Sequence, residues 1–234
     1  MIYMTADIHR DADLVFLICE KMKTTKEDIL IVLGDFGANM YLNERDQALK
    51  QVLENLPITL FCIHGNHEKR ASEIGTYQEA QWHGGTIYVE EAYPSIKFAK
   101  DGEVYDFNEM KTMVLGGAYS PDKHYRLSNG LPWFIDEQPS DEIKSYAARQ
   151  LENCGWKMDV VLSHTAPKKY QPREAFLPGF KQWMIEMEEH TEKWLNEIET
   201  ELDYDYWFCG HYHIQKKIDK IQFLYHNVVK FPER

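Results

Sequence analysis

Short apolar runs alternate along the chain with longer stretches in which apolar residues recur every three or four positions. Ile2–Ala6, Ile29–Leu33 and Ile58–Ile63 read as strands. Ile29–Leu33 carries no polar alternation, the pattern of a strand buried on both faces. Between the strands, Ala12–Lys23 places Leu14, Ile18 and Met22 on one helical face at four-residue spacing, and Asn43–Asn55 reads as a second helix. The order β-α-β-α-β predicts a mostly parallel sheet with right-handed crossovers.

The pattern then tightens. Thr86–Val89, Ile96–Lys100, Glu103–Phe107 and Thr112–Leu115 are closely spaced strand candidates, and Asp101-Gly102 and Asn108-Glu109 stand where tight turns belong. This is the chemistry of an antiparallel meander. Ser140 suits a helix N-cap, with Asp141 and Glu142 in the first turn of a helix running to about Asn153. Asp159–Ser163 reads as a buried strand. Gln182–Thr200 reads as a long amphipathic helix with a solvated acidic face and Trp183, Met184, Met187 and Trp194 for packing. Tyr206–Cys209 and Ile221–His226 are late strands, joined through Lys216–Lys220. No repeat, low-complexity tract or linker divides the chain, so a single domain is expected over residues 1–234.

Composition narrows the function classes. The 234 residues carry 26 Lys and Arg against 38 Asp and Glu, a formal charge of −12. Such a chain repels nucleic-acid backbones and anionic membranes at long range, so neither a membrane nor a long nucleic acid is expected as a partner. The four cysteines form no CxxC pair, and Cys62 and Cys209 lie in apolar runs. They read as buried free thiols in a reducing compartment, which together with the lack of a signal-peptide pattern predicts a cytoplasmic protein. No apolar run approaches the roughly 18 residues of a membrane span.

Five polar clusters stand at the carboxyl ends of predicted strands: Asp7-Ile8-His9, Gly34-Asp35, Gly65-Asn66-His67-Glu68, Ser163-His164 and Gly210-His211-Tyr212-His213. Ligands of α/β sheets bind outside those ends, where loops converge. Each cluster alone is a common turn or a solvated histidine. Together they offer the nitrogen and oxygen ligands of divalent first-row metals, in number enough for two. His211 and His213, taken as an extended segment, would point the same way at period two.

The ordered set Asp-x-His, Gly-Asp, Gly-Asn-His-Glu, His, Gly-His-x-His resembles the calcineurin-like metallophosphoesterase superfamily, from Asp7 to His213. The resemblance implies a four-layered α/β/β/α sandwich. It implies one metal held by Asp7, His9, Asp35 and His213, and a second held by Asp35, Asn66, His164 and His211, with Asp35 bridging and His67 as general acid. Two divalent ions are therefore the expected cofactors, manganese first, with iron, zinc and nickel also compatible with the ligand types. Paired ions can share a water, lower its pKa and clamp an in-line displacement. The expected reaction is hydrolysis of a small phosphoester, nucleotides among the candidates, by attack of a metal-bridging hydroxide. A phosphodiesterase leads. A phosphomonoesterase, a nuclease and a non-catalytic scaffold of the same fold are the alternatives, and the intact ligand set speaks against the scaffold.

One departure stands out. Many relatives carry an acidic residue three positions after the bridging aspartate, followed in protein phosphatases by arginine; here those positions are Ala38 and Asn39. His67 thus lacks its usual acidic partner, for which Glu68 is a candidate substitute, and a Ser/Thr protein phosphatase is disfavoured. On the substrate side, Arg10 follows His9 directly. The segment Gly116–Arg126 reads as a loop that offers Lys123, His124 and Arg126 to a phosphate, with Trp133-Phe134 close behind either to stack on a base or to anchor the loop. His64 reads as structural or as an orienting neighbour of the metal ligands. His83, His190 and His226 fit no ligand pattern.

Overall fold

Ile29–Val32 contains only Ile, Leu and Val, and all four side chains are buried, two into each of two cores. The same two-sided burial holds for Ile2–Thr5 (β1) and, past its first residue, Thr59–Cys62 (β3), which flank it (β2) in parallel. The computed structural model describes residues 1–176 and 189–234. The described residues form two sheets. The first has the order β13-β1-β2-β3-β6-β5-β4 and the second β11-β12-β10-β9-β8-β7. The remaining strands of the first sheet are Tyr77–Trp82 (β4), Gly85–Glu90 (β5), Ile96–Ala99 (β6) and Val229–Lys230 (β13). The second sheet contains Val104–Phe107 (β7), Met110–Leu115 (β8), Lys157–Ser163 (β9), Asp203–Cys209 (β10), Lys216–Ile218 (β11) and Ile221–Phe223 (β12).

Three apolar cores define the layers. Met4, Ile31 and Phe61 from one sheet meet Phe107, Val114, Leu162 and Phe208 from the other in a central core. The outer face of the first sheet is covered by Ala12–Met22 (α1) and Glu44–Glu54 (α2), through Val15, Ile18 and Leu53. The outer face of the second is covered by Asp141–Asn153 (α4) and His190–Glu201 (α5), through Ala147, Leu151, Leu195 and Ile198. The architecture is α/β/β/α. Side-chain caps start three of these helices: Asp11 accepts from Leu14 N–H at 3.0 Å, Asn43 from Arg45 N–H at 3.0 Å and Ser140 from Ile143 N–H at 3.4 Å. Asn108 and Glu109 both take positive φ (54° and 63°) in the two-residue turn that joins β7 to β8, the conformation that matches the strand twist.

Several sequence expectations need correction. Tyr77–Trp82 is an edge strand that pattern reading missed, because the half-exposed Tyr-Gln-Glu-Ala-Gln-Trp run has no apolar stripe. Lys216–Ile218, expected as a connection, is a short antiparallel edge strand on β12, and β12 ends at Phe223 rather than at His226. Lys123–Ser128 is a short helix (α3), not loop. The helix expected over Gln182–Thr200 is seen as α5 from His190; residues 182–188 of that expectation lie outside the described residues. Cys19, Cys62 and Cys209 are buried free thiols, while Cys154 is half-buried. Among the described residues, no helix is long and apolar enough to cross a membrane.

Candidate metal centre

The parallel strands β1, β2, β3, β9 and β10 deliver their carboxyl-end loops to one place at the rim between the sheets. The register of these strands sets the convergence. Asp7 N–H donates to Gly34 O at 3.2 Å, His9 N–H to Asp35 O at 2.8 Å, and Gly210 N–H to His164 O at 2.8 Å. The chain turns sharply there. Asp7, His9, Asp35, His211 and His213 all have positive φ, between 46° and 68°. Left-handed backbone is costly for residues with a Cβ and gathers where function demands it. His211 and His213 therefore do not sit on extended backbone as period two supposed. Two left-handed residues, not strand alternation, aim both rings inward.

The cluster contains every metal-ligand residue expected from sequence. Asp7, His9 and His213 present ligand atoms within 4.8 Å of one another, as do Asp7, Asp35 and His164. His9 Nε2 lies 3.0 Å from His213 Nε2, and His213 Nε2 lies 3.7 Å from Asp7 Oδ1. Asn66 Oδ1 lies 2.8 Å from His164 Nε2 and 3.1 Å from His211 Nδ1. Asp35 stands between the two groups, its carboxylate 4.0 Å from His9 Nε2, 3.7 Å from His67 Nε2 and 3.6 Å from His164 Nε2.

The protonation pattern fits bound cations. His164 Nδ1 donates to Leu33 O at 2.8 Å, which leaves a lone pair on Nε2. The Asn66 amide nitrogen donates to Ser120 Oγ at 2.8 Å, which turns its oxygen towards that lone pair. Two acceptors thus face each other at hydrogen-bond distance in a buried site. A second proton on His164 is disfavoured, because burial lowers its pKa. A cation bound by both atoms resolves the conflict. The carboxylates agree: Asp7 is fully buried, and burial together with the charge of Asp35 raises its pKa well above the usual range. Burial also works to raise Asp35, but the surrounding His67, His164 and His9 and the His67 amide outweigh it and hold it low. Positive charge between the two acids would let both ionise.

The neighbours show how the family pattern has been altered. Ala38 is fully buried, and Asn39 accepts the Tyr77 hydroxyl at 2.9 Å. Glu68 does not replace the missing acid beside His67. It accepts the amides of Phe36 at 3.3 Å and Gly37 at 3.1 Å and so braces the turn that carries Asp35; burial and Asp35 push its pKa up to about 8. His67 Nδ1 is buried with no hydrogen-bond partner among the described residues. On the other side of the ring, Nε2 lies 3.4 Å from Arg126 Nη2 and 3.7 Å from Asp35 Oδ2, so a guanidinium and the Asp35 carboxylate both stand beside this nitrogen.

The segment Gly116–Ser120 is largely interior rather than solvated, and Ser120 is the residue there that the sequence did not single out as orienting Asn66. The Lys123 amine sits over the Trp133 ring, 4.6 Å from its centroid, and His124 is exposed. Trp133 and Phe134 are half-buried, and Trp133 Nε1 donates to Glu137 at 2.7 Å. Arg10 is committed to the neighbouring loop and the start of α2: it pairs with Asp46 at 2.5 Å and donates to Gly37 O at 2.6 Å and Arg45 O at 2.9 Å. His64 is buried, its Nε2 without a partner among the described residues, and His226 Nε2 lies 2.9 Å from Asp7 O, beside the cluster.

A cavity of about 280 Å³ opens from the cluster, lined by Asp35, Asn66, His67, His211 and His213 on one side and by Glu192 and Tyr212 among others on the far side. Glu192 is 2% exposed, and burial followed by the nearby charges of Glu189 and Glu137 pushes its pKa up to about 7 from 4.5. The folded state therefore binds this proton more tightly than the unfolded chain. Its contribution to stability is fully present below about pH 4.5 and is lost as pH rises through 7. A Glu192→Gln variant lacks that loss. Chemical denaturation at pH 5 and pH 8 should show the variant gaining on wild type by on the order of 3 kcal/mol across the interval. An unchanged gap would mean that the carboxyl is not held protonated.

Comparison with known proteins places these features in a family. Among curated proteins, none matches the sequence. Among solved structures, the chain is similar to TT1561 of Thermus thermophilus, with 12% identity, a TM-score of 0.47, and coverage of 96% of this chain and 87% of that one. The family model of the calcineurin-like phosphoesterases matches residues 1–215, a span that includes every residue of the cluster. The chain belongs to the calcineurin-like phosphoesterase family.

Proposed function

We propose that the protein is a binuclear-metal hydrolase of small phosphodiesters, with Asp7, His9, Asp35 and His213 holding one divalent ion and Asp35, Asn66, His164 and His211 the other. The observation that carries this is the pair of facing acceptors, His164 Nε2 and Asn66 Oδ1 at 2.8 Å, inside a cluster with two buried carboxylates. When bound, the ions lower the pKa of a coordinated water and polarise the phosphoryl oxygens. Manganese suits the mixed nitrogen and oxygen set.

The protein's own residues supply positioning and proton transfer. Asp35 accepts the His67 backbone amide at 2.9 Å, which ties the loop carrying the acid to the centre of the cluster. His67 lines the cavity and gives a proton to the departing oxygen. Of the cations that the sequence singled out, Arg126 comes within 3.4 Å of the His67 ring. Its Nε is held by Asp122 at 2.7 Å and its Nη1 by Pro132 O at 3.0 Å, so the remaining nitrogen faces His67 and an incoming phosphoryl oxygen. Such a fixed fork suits a phosphate better than a flexible amine does. Lys123, packed on Trp133, is placed for a longer-range role, and Arg10 supports the α2 start.

The test compares bis-p-nitrophenyl phosphate with p-nitrophenyl phosphate on metal-stripped protein reloaded with manganese. Faster cleavage of the diester supports the proposal; preference for the monoester replaces it with a phosphatase. A His67→Asn variant should lose about 10²–10³-fold with an alkyl leaving group, yet little with p-nitrophenolate, which departs without a proton. Equal loss with both leaving groups would remove His67 from the role of acid.

A further inference from the structure

Besides the metal cluster, the cavity is lined by a second set of side chains, a lobe whose residues phosphoester hydrolysis by itself does not use. One wall is the ring pair Phe176 and Tyr212, stacked with centroids 6.2 Å apart and planes inclined by 17°. Three carboxylates line the cavity beyond the cluster: Asp122, Glu189 and Glu192. Two of them are already paired. Asp122 holds Arg126 at 2.7 Å, while Glu189 meets the Lys168 amine at 2.7 Å and the Gln171 amide at 2.7 Å. Glu192 is different. It is 2% exposed, and Thr165 hydrogen-bonds to it. Among the described residues, Asp122 Oδ1, Glu189 Oε1 and Glu192 Oε2 all go without a hydrogen bond, but of the three acids only Glu192 has no cation paired with it.

A buried acceptor left without a partner costs free energy, so a fold carries one where a ligand completes it. The ligand here is not a second phosphate, because Glu192 is unpaired and no Lys or Arg lines the cavity among the described residues. Aromatic faces beside a carboxylate are the surroundings that attract an organic cation, through the ring quadrupole and the opposite charge together. We propose that this lobe binds the alkylammonium substituent of a phosphodiester, with Glu192 as counter-ion and the Phe176–Tyr212 wall against the methyl or methylene groups. The substrate class rests on the hydrolase proposed above. The cation site itself does not.

The experiment has two readouts. The first is the ratio of kcat/KM for p-nitrophenyl phosphorylcholine to that for bis-p-nitrophenyl phosphate, measured on manganese-loaded wild type and Glu192→Gln. The ratio is expected to exceed one in wild type and to fall at least tenfold in the variant. The second is calorimetric titration of the metal-free proteins with choline chloride at pH 8, where Glu192 has given up the proton that burial holds to about pH 7, and it needs no turnover. Binding in the millimolar range or tighter is expected in wild type and at least tenfold weaker binding in the variant. An identical ratio in both proteins with no choline binding overturns the cation site and leaves the hydrolase standing. Choline binding lost in the variant, with no turnover of either ester, supports the site and overturns the hydrolase. Thymidine 5′-p-nitrophenyl phosphate outcompeting the choline ester, with the advantage lost in Glu192→Gln, would replace the cation with a nucleobase and so overturn the proposal. The pH-dependent stability of Glu192→Gln shows independently that the variant folds.

Discussion

An Asp35→Asn variant of the proposed hydrolase is expected to lose at least about a thousandfold in manganese-dependent phosphodiester cleavage and to bind fewer than two metal ions. The substitution keeps the shape and the oxygen that accepts the His67 amide at 2.9 Å, so the loop need not move. What disappears is the charge between His9, His67 and His164, at 3.6–4.0 Å from each ring. A bridging carboxylate is the one group that offsets the repulsion of two cations at once, so its neutralisation acts on both sites. The same change removes one of the causes that raise Asp7, but it also removes the carboxylate that His67, His164, His9 and the His67 amide hold ionised, and a carboxylate held low stabilises the fold above its unfolded pKa. Thermal unfolding with chelator should therefore place the variant below wild type. Added manganese should raise wild type by the amount mass action gives, about 4 kcal/mol for each bound ion at a thousandfold excess over its Kd, and leave the variant nearly unmoved. Full metal content and activity in the variant would show that the cluster is not the reactive centre.

The second large effect comes from a residue with no side chain. Gly34 has φ +85°, and a Cβ added there would lie 2.0 Å from His164 Nδ1. His164 is fully buried and donates through that nitrogen to Leu33 O at 2.8 Å, so the ring has nowhere to retreat. Gly34→Ala should cost about 2–4 kcal/mol, or roughly 4–16 °C in Tm, and weaken metal binding about 10–100-fold by turning a ligand ring. Gly84→Ala is the matched control, since it shares the left-handed backbone (φ +79°) but would meet nothing within 4 Å. It should cost only about 1–2 kcal/mol of backbone strain. If differential scanning calorimetry finds the two variants equally destabilised, the close approach of Gly34 to His164 is not what the glycine serves.

The strands with unbroken Ile, Leu and Val were legible because burial on both faces leaves no room for a polar residue. The candidate cluster was legible because residues in the family order of Asp, His, Asn and Gly lie at their carboxyl ends. The half-exposed strand Tyr77–Trp82 was not, since an edge position asks for no apolar stripe. The direction of His211 and His213 was misjudged for a related reason: local periodicity assumes extended backbone, whereas φ of 68° and 51° is imposed by packing against Asp7 and its neighbours. Arg10 and Arg126 looked equivalent as free cations near the motifs. Only the folded chain commits Arg10 to Asp46 and sets Arg126 against His67, because partners 36 and 59 positions apart in sequence meet through tertiary packing. Glu68 likewise read as a spare acid for His67 until the turn at Phe36 and Gly37 claimed it. The sequence by itself determined the mixed α/β class, the strand ends that carry the polar clusters and the types of the candidate ligands, all of which follow from local pattern and residue identity, while the layering followed from the family resemblance. The tertiary structure decided which side chains face the cavity, what each charge is paired with and that Glu192 has no cation partner among the described residues, because those depend on distances between segments that no local pattern encodes.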